Sequence, residues 1–425
     1  MTGIMNAYGD GLRDDTKAIQ EALDKRGLVI FESGKTYLSS SLIIHSDTTL
    51  YFEPGSKLKA SEDINTYIHP AEVDNDETRG VGTPVTRKPA FVFLYALGEK
   101  NITIEGDGEI SGSCDAFLTN VTKYHRDAPI YPRPTMIYFE NCRNLKFRGI
   151  TLKDAPFWTL HTAGCDNVLV DGVTIDNPLD AANSDGIDPD HSRNVRIVNS
   201  SIACADDCIV LKNCNGNNEY HNTKDVIISN CHLISTSAAL KIGTEGVDDF
   251  ENVLVENCII ESSNRGISIQ VRDKGNVRNV HFRNILIETR RFSHQWWGSA
   301  EPIAITTYNR DTNTDSGIIE DVTFENITAT CENGIFIDAE ESKIRNILLR
   351  NVKVHLVKKS KWATTGHDMR PKYNEPMYTE EKVGALSARN VSGLKLENFS
   401  YVIDAHENFA PEYPVKLANT SIVTC

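Results

Sequence analysis

Two short stretches carry the residues best suited to chemistry. NSDGID holds Asp185, and ADDCIVLK holds Asp206 beside Asp207. Asp185 and Asp207 are 22 residues apart. If the chain stacks with a period near that spacing, the three carboxyls gather on one face. Acids that close repel, so at least one proton is held to higher pH than normal. Hydrolysis of a glycosidic bond needs such a set: one carboxylic acid protonates the leaving oxygen while a carboxylate activates water. Asp also serves turns, and that plainer reading suffices for isolated pairs such as Asp107-Gly108 and Asp171-Gly172.

The elements that must position these acids repeat along the chain. A motif of roughly Asn/Asp, apolar, x, apolar, x, Asn/Asp/Gly, x, x, Ile/Val starts at Asn144, Asn167, Asn194, Asp225, Asn252, Asn279, Asp321 and Asn346. The steps are 23, 27, 31, 27, 27, 42 and 25 residues, and an earlier copy starts at Asn101. Within each copy the apolar residues alternate, the period of a strand with one buried face. A polar or Gly break follows, then a second short strand such as GIDPD, CIVLK, ALKIG or GISIQ. Short strands recurring without intervening helices predict an all-β chain folded as a single-stranded right-handed parallel β-helix, a solenoid with coils about 4.8 Å apart. Asn and apolar ladders fill its turns and core.

The end of a solenoid needs cover. Residues 14–27 predict a capping helix in an N-terminal cap region, 1–27. Asp15 serves as N-cap, Ala18, Ile19, Ala22 and Leu23 form the apolar stripe, and Gly27 ends the helix. The 42-residue step holds an inserted rim loop, 290–316, and the polar, Pro-containing stretch 358–382 is a second loop. No linker-like composition interrupts the repeats, so one domain over 1–425 is expected.

Composition narrows the partners. The chain has 425 residues, 40% of them apolar, enough for a large core. Its 44 basic and 59 acidic residues give −15, a surface that repels polyphosphate and argues against nucleic-acid or anionic-membrane binding. The longest apolar run, Ala90 to Leu97, has 8 residues, where a membrane helix needs about 20. MTGIMNAYGDGLRDD shows no basic n-region and no apolar h-region. The expected location is therefore cytoplasmic, or secreted or periplasmic if a leader was removed. None of the ten cysteines forms a C-x-x-C pair. Cys204, Cys208 and Cys214 lack the His or fourth Cys of a zinc set. Cys231 and Cys258, at one place in neighbouring repeats, read as small buried apolar residues. No nucleotide-binding motif is present.

GDGLRDDTKAIQEAL, RPTMIYFENCRNLKFRGITLKDAPFWTLHTAGCDNV and NSDGIDPDHSRNVRIVNSSIACADDCIVLKN resemble the polygalacturonase-like glycoside hydrolases of family 28. The resemblance implies a right-handed parallel β-helix that hydrolyses pectic bonds with inversion and uses neither metal nor organic cofactor. By it Asp206 matches the general acid, and Asp185 and Asp207 match the carboxylates that hold and activate water. Asn183 and Lys212 match neighbouring positions that shape the site. Two departures stand out. The family's Gly-His-Gly reads Ser237, Ala238, Ala239, and its Arg-Ile-Lys reads Ser268, Ile269, Gln270. In the family those cations hold uronate carboxylates, at roughly 1.5–3 kcal/mol per charge-assisted bond, so the sugar is expected to differ.

Lys241, Arg265, Arg272 and Lys274 are close enough in sequence to replace the clamp. Lys241 alternates with Leu240 and Ile242, so it faces outward from a strand. His161 is a candidate to line the cleft. Trp158, Trp296, Trp297 and Tyr308 are candidates to stack on sugar faces. The implied partner is an oligosaccharide or polysaccharide, and a cytoplasmic location points to exo action on short substrates. Two other readings stay open. One is a polysaccharide lyase, with Ca²⁺ on the acids and Lys212 or Arg272 as base. The other is a carbohydrate-binding β-helix without activity.

Overall fold

The repeat motifs become strands, and each pairs in parallel with its counterpart one repeat later. A computed structural model describes residues 2–69, 88–118, 120–127, 133–217, 219–364, 366–379 and 381–422. Its contacts divide into two compact units: 1–206 with 214–221, and 207–213 with 222–425.

In the first unit, strands Lys100–Gly106, Arg143–Arg148, Asp166–Asp171 and Arg193–Val198 stack in register, with Leu145 between Ile102 and Val168. Their apolar residues are buried and the intervening ones largely turn to solvent, so one face closes on the core. A second stack runs through Val92–Leu97, Thr135–Glu140, Leu160–Ala163 and Ile187–Asp190. Here nearly every residue is buried, because the outward face is covered as well. Asp185 lies just before the last of these strands.

The second unit repeats the plan. Strands Phe250–Glu256, Val277–Thr289, Ile319–Cys331 and Ile344–Leu356 form one stack, in which the rings of Phe282 and Phe324 lie 4.9 Å apart and nearly parallel. The facing stack runs Ile209–Asn213, Ala238–Gly246, Arg265–Val271, Ile303–Thr307, Ile335–Ala339, Leu386–Arg389 and Val415–Ala418.

The bends use the Asn and Asp positions of the motif. Asn101, Asn144, Asn167, Asn252 and Asn279 all have φ between 54° and 62°, the left-handed region that Asn tolerates better than most residues. Their amides chain from coil to coil: Asn144 donates to Asn101 and Asn167 to Asn144, both at 2.8 Å. In the second unit Asn279 donates to Asn252 at 2.8 Å, and a parallel ladder links Asn257, Asn284, Asn326, Asn351 and Asn398.

The capping helix spans Thr16–Leu23 and buries Ile19, Ala22 and Leu23. Asp15 makes no side-chain cap. Its carboxylate instead accepts the N–H groups of Tyr8 at 2.6 Å and Gly9 at 3.0 Å, tying the preceding turn to the helix. Segment 290–316 is not one continuous loop, since Ile303–Thr307 inserts as a strand between Arg265–Val271 and Ile335–Ala339. Its alternation Ile303, Ile305 is a strand signal the surrounding polar residues obscure. Segment 358–382 is irregular as expected, with Thr365 and Glu380 outside the described residues. The nine cysteines described are buried free thiols, and several, including Cys142, Cys165, Cys231 and Cys258, donate to main-chain carbonyls.

The ladder can be tested at its centre. Asn279→Ala should destabilise the fold by about 1–2 kcal/mol in urea unfolding, from a lost amide bond and a side chain that resists the left-handed bend. Asn279→Gly restores only backbone freedom and should cost about half as much.

Candidate active site

The loop that carries Asp185 is held from both neighbouring coils of the first unit. Asn177 donates to the hydroxyl of Thr159 at 2.8 Å and to the carbonyl of Ser184, while its own carbonyl accepts the N–H of Ala155. The Ser184 hydroxyl donates to the Ala181 carbonyl and accepts the N–H of Ala205. The main-chain carbonyl of Asp185 accepts the Thr159 N–H at 2.9 Å, which keeps the residue in sheet register. Asp185 is buried and Asp206 half-buried, and each offers a carboxylate oxygen within 4.8 Å of the other.

Asn183 links them. Its φ is 56°, its N–H donates to Asp206 Oδ2 at 3.2 Å, and its Oδ1 accepts from Arg133 at 2.7 Å. Arg133 is buried, also donates to the carbonyls of Pro156 and Ala182, and lies over the ring of Phe157. The sequence reading missed it; the signal was an arginine two residues before the largely apolar strand Thr135–Glu140.

His161 is fully buried beside Trp158 and Tyr138, with Nε2 3.1 Å from Asp190 Oδ2. Asp190 also accepts from His191 Nδ1 at 2.7 Å, the Cys214 N–H at 2.8 Å and the Asn217 amide at 2.6 Å. Burial alone would raise this carboxyl. The bonds and charges of His161 and His191 outweigh it and hold Asp190 well below the usual carboxylate range. Trp158 belongs to a core cluster with Phe157 and Cys214.

In the second unit, Asp207 is gripped at both oxygens. Lys241 Nζ lies 2.6 Å from Oδ2, and Oδ1 accepts the Ser237 hydroxyl at 3.1 Å and the Ala238 N–H at 3.2 Å. Lys212 pairs with Glu245 at 3.1 Å, and both are buried. Burial would raise the Glu245 carboxyl, but Lys212, Arg310 and Lys241 bring it down to about 2. Glu245 was not singled out from the sequence, where the strand was read only as ALKIG; the strand runs on to Gly246 and carries it.

The other cations point elsewhere. Arg265 is buried, 3.1 Å from Glu301, and bonds the Asp368 carbonyl. Arg272 is buried beneath residues 369–371. It donates to the carbonyls of Pro371, Val271, Thr306 and Met369 and to the Thr306 hydroxyl, and it stacks 4.8 Å over the ring of Tyr308. Burial among neutral acceptors lowers it to about 9. Gln270 donates to the Arg370 carbonyl at 3.1 Å. The hydroxyl of Tyr308, itself fully buried, donates to Asp338. Trp296 is buried, Trp297 is 41% exposed, and Lys274 is exposed. Residues 366–371 thus act as a strap over strands Arg265–Val271 and Ile303–Thr307, pinned further by the Asp368 N–H on Glu301 at 3.0 Å.

The family profile described as glycosyl hydrolases family 28 matches residues 46–370. A probable polygalacturonase of Vitis vinifera is 29% identical over 260 residues, covering 57% of this chain and 51% of its own length. The chain spans about half the length of the curated relatives it matches. The family 28 exopolygalacturonase of Yersinia enterocolitica superposes with a TM-score of 0.72 at 18% identity, over 99% of this chain and 77% of that one. The hyperthermoactive exopolygalacturonase of Thermotoga maritima gives 0.64 at 18% identity, over 94% and 91%. At these identities the structures establish the shared right-handed parallel β-helix.

Glu245 supplies a test of the buried ion pair. A carboxyl whose folded value is depressed contributes stability above its unfolded value and loses it as pH falls through the folded one. Wild type should therefore lose about 2 kcal/mol through this group between about pH 5 and about pH 3. In Glu245→Gln that part of the acid dependence should vanish, read as the difference between the two urea-unfolding profiles.

Proposed function

Because this chain belongs to glycosyl hydrolases family 28, we propose that it hydrolyses glycosidic bonds of pectic oligosaccharides with inversion, releasing sugar from a chain end. The observation that carries the reading is the pair Asp185 and Asp206, whose carboxylate oxygens lie within 4.8 Å in a largely buried setting. Two carboxylates that close retain a proton between them. Asp206, the more exposed of the two, donates it to the leaving oxygen. Asp185 and Asp207 hold and activate the attacking water. Asp207 suits the holding of that water because an ammonium, a hydroxyl and a main-chain N–H fix its carboxylate in one orientation.

The strap of residues 366–371 supports action from a chain end. It occupies the outward face of the strands that carry Arg265 and Gln270, where a polymer lying along the coils would continue. The names of the relatives support a galacturonan-type substrate.

Wild type and Asp206→Asn should be assayed on trigalacturonate, its methyl ester and a rhamnogalacturonan tetrasaccharide. Loss of the acid should slow release by about 10²–10⁴-fold. Monosaccharide should lead the products, and proton NMR should show the inverted anomer first. Absorbance from a new C=C bond would replace this reading with a lyase. Binding without turnover, unchanged in the variant, would replace it with a carbohydrate-binding role.

A further inference from the structure

We infer that Lys241 is a positioning residue of the reaction: it holds the Asp207 carboxylate in place and does not serve as a clamp for a carboxylate on the substrate. The inference rests on the role given to Asp207 above.

Strand Ala238–Gly246 grips Asp207 at two points. Its first residue donates a main-chain N–H to Oδ1, and three residues on Lys241 reaches Oδ2 at 2.6 Å. Leu240 and Ile242 are buried, which sends the lysine to the opposite face of the strand. Lys241 is itself only 8% exposed, so its ammonium is largely desolvated and its bond to Asp207 is strong. Arg265, a cation whose field also reaches Asp207, is committed to Glu301 and the Asp368 carbonyl. One coil on, the residue in register with Lys241 is Ser268, which carries no charge to take over the contact. Glu245 lies near enough for the field of Lys241 to act on it, so the lysine stands between two anions. Without Lys241, Asp207 keeps two neutral donors on Oδ1 and, among the described residues, none on Oδ2.

A positioning lysine and a substrate clamp fail differently. Trigalacturonate and its methyl ester share the same glycosidic bonds, and the ester replaces each carboxylate with a neutral group. Lys241→Met should lower kcat on both substrates by at least about 100-fold, with KM changed less than about threefold. Lys241→Arg should recover at least about tenfold of that loss, since a guanidinium can reach the same oxygen. A raised KM on the acid alone, with kcat kept and the ester untouched, would overturn the inference and make Lys241 the clamp. A wild type silent on both trisaccharides would count against the function proposed above. In that event crystal structures of Lys241→Met, or of Lys241→Gln if the first does not fold, decide the point without substrate. Displacement of the Asp207 carboxylate from Ser237 and Ala238 by more than about 1 Å upholds the inference; a carboxylate left in place overturns it.

Discussion

The repeated bends of the motif turn on Asn and Asp residues that accept a left-handed backbone. A parallel stack allows no tight hairpin, so each strand leaves the sheet through a bend closed by side chains rather than by ladder hydrogen bonds. Asn meets both demands, tolerating positive φ and offering a donor and an acceptor to the coils above and below. The chained amides from Asn101 through Asn167 and from Asn257 through Asn398 therefore do for the bends what main-chain hydrogen bonds do for the strands. Asp185, two residues past Asn183 and two before strand Ile187–Asp190, is placed by other polar side chains of its own loop, Asn177 and Ser184.

A second constraint is charge. The acids are buried, and a buried carboxylate needs donors. The two units answer differently. Around Asp190 the donors are two imidazoles, an amide and a main-chain N–H. Around Asp207 and Glu245 they include the ammonium groups of Lys241 and Lys212. Such pairs contribute little net stability, because both partners lose water, but removing one partner is costly. The arrangement fixes positions and leaves little freedom for single changes.

The fold was legible because its signal is periodic. Alternating apolar residues and a recurring Asn mark each strand and bend independently, so one irregular copy does not spoil the pattern. The strand Ile303–Thr307 escaped because it stands alone inside an insertion, without the flanking motif. The acids were legible as NSDG and ADDC, short runs fixed by local chemistry. Their supports were not. Arg133 reaches Asn183 across 50 residues, and residues 368–371 reach Arg265 and Arg272 across about 100. Partners that meet only through stacking leave no local trace. Asp15 shows the converse: it has the right type and place for a helix cap, yet its carboxylate goes to the preceding turn.

The contact between Arg272 and the strap is made by carbonyl oxygens of the strap's main chain, not by its side chains. Carbonyls are the same whichever amino acid carries them. The identity of residues 369–371 is thus largely invisible to the guanidinium, whereas the path of their backbone is not. The strap's other holds do read side chains, since Met369 packs against Tyr308 and Phe336 and the Asp368 carboxylate accepts from Gly298 and Arg370. Arg272 is the opposite case, because a lysine cannot spread its donors over carbonyls on opposite sides. The strap thus has one anchor that reads only the path of its backbone, and the group that reads it is out of reach of solvent.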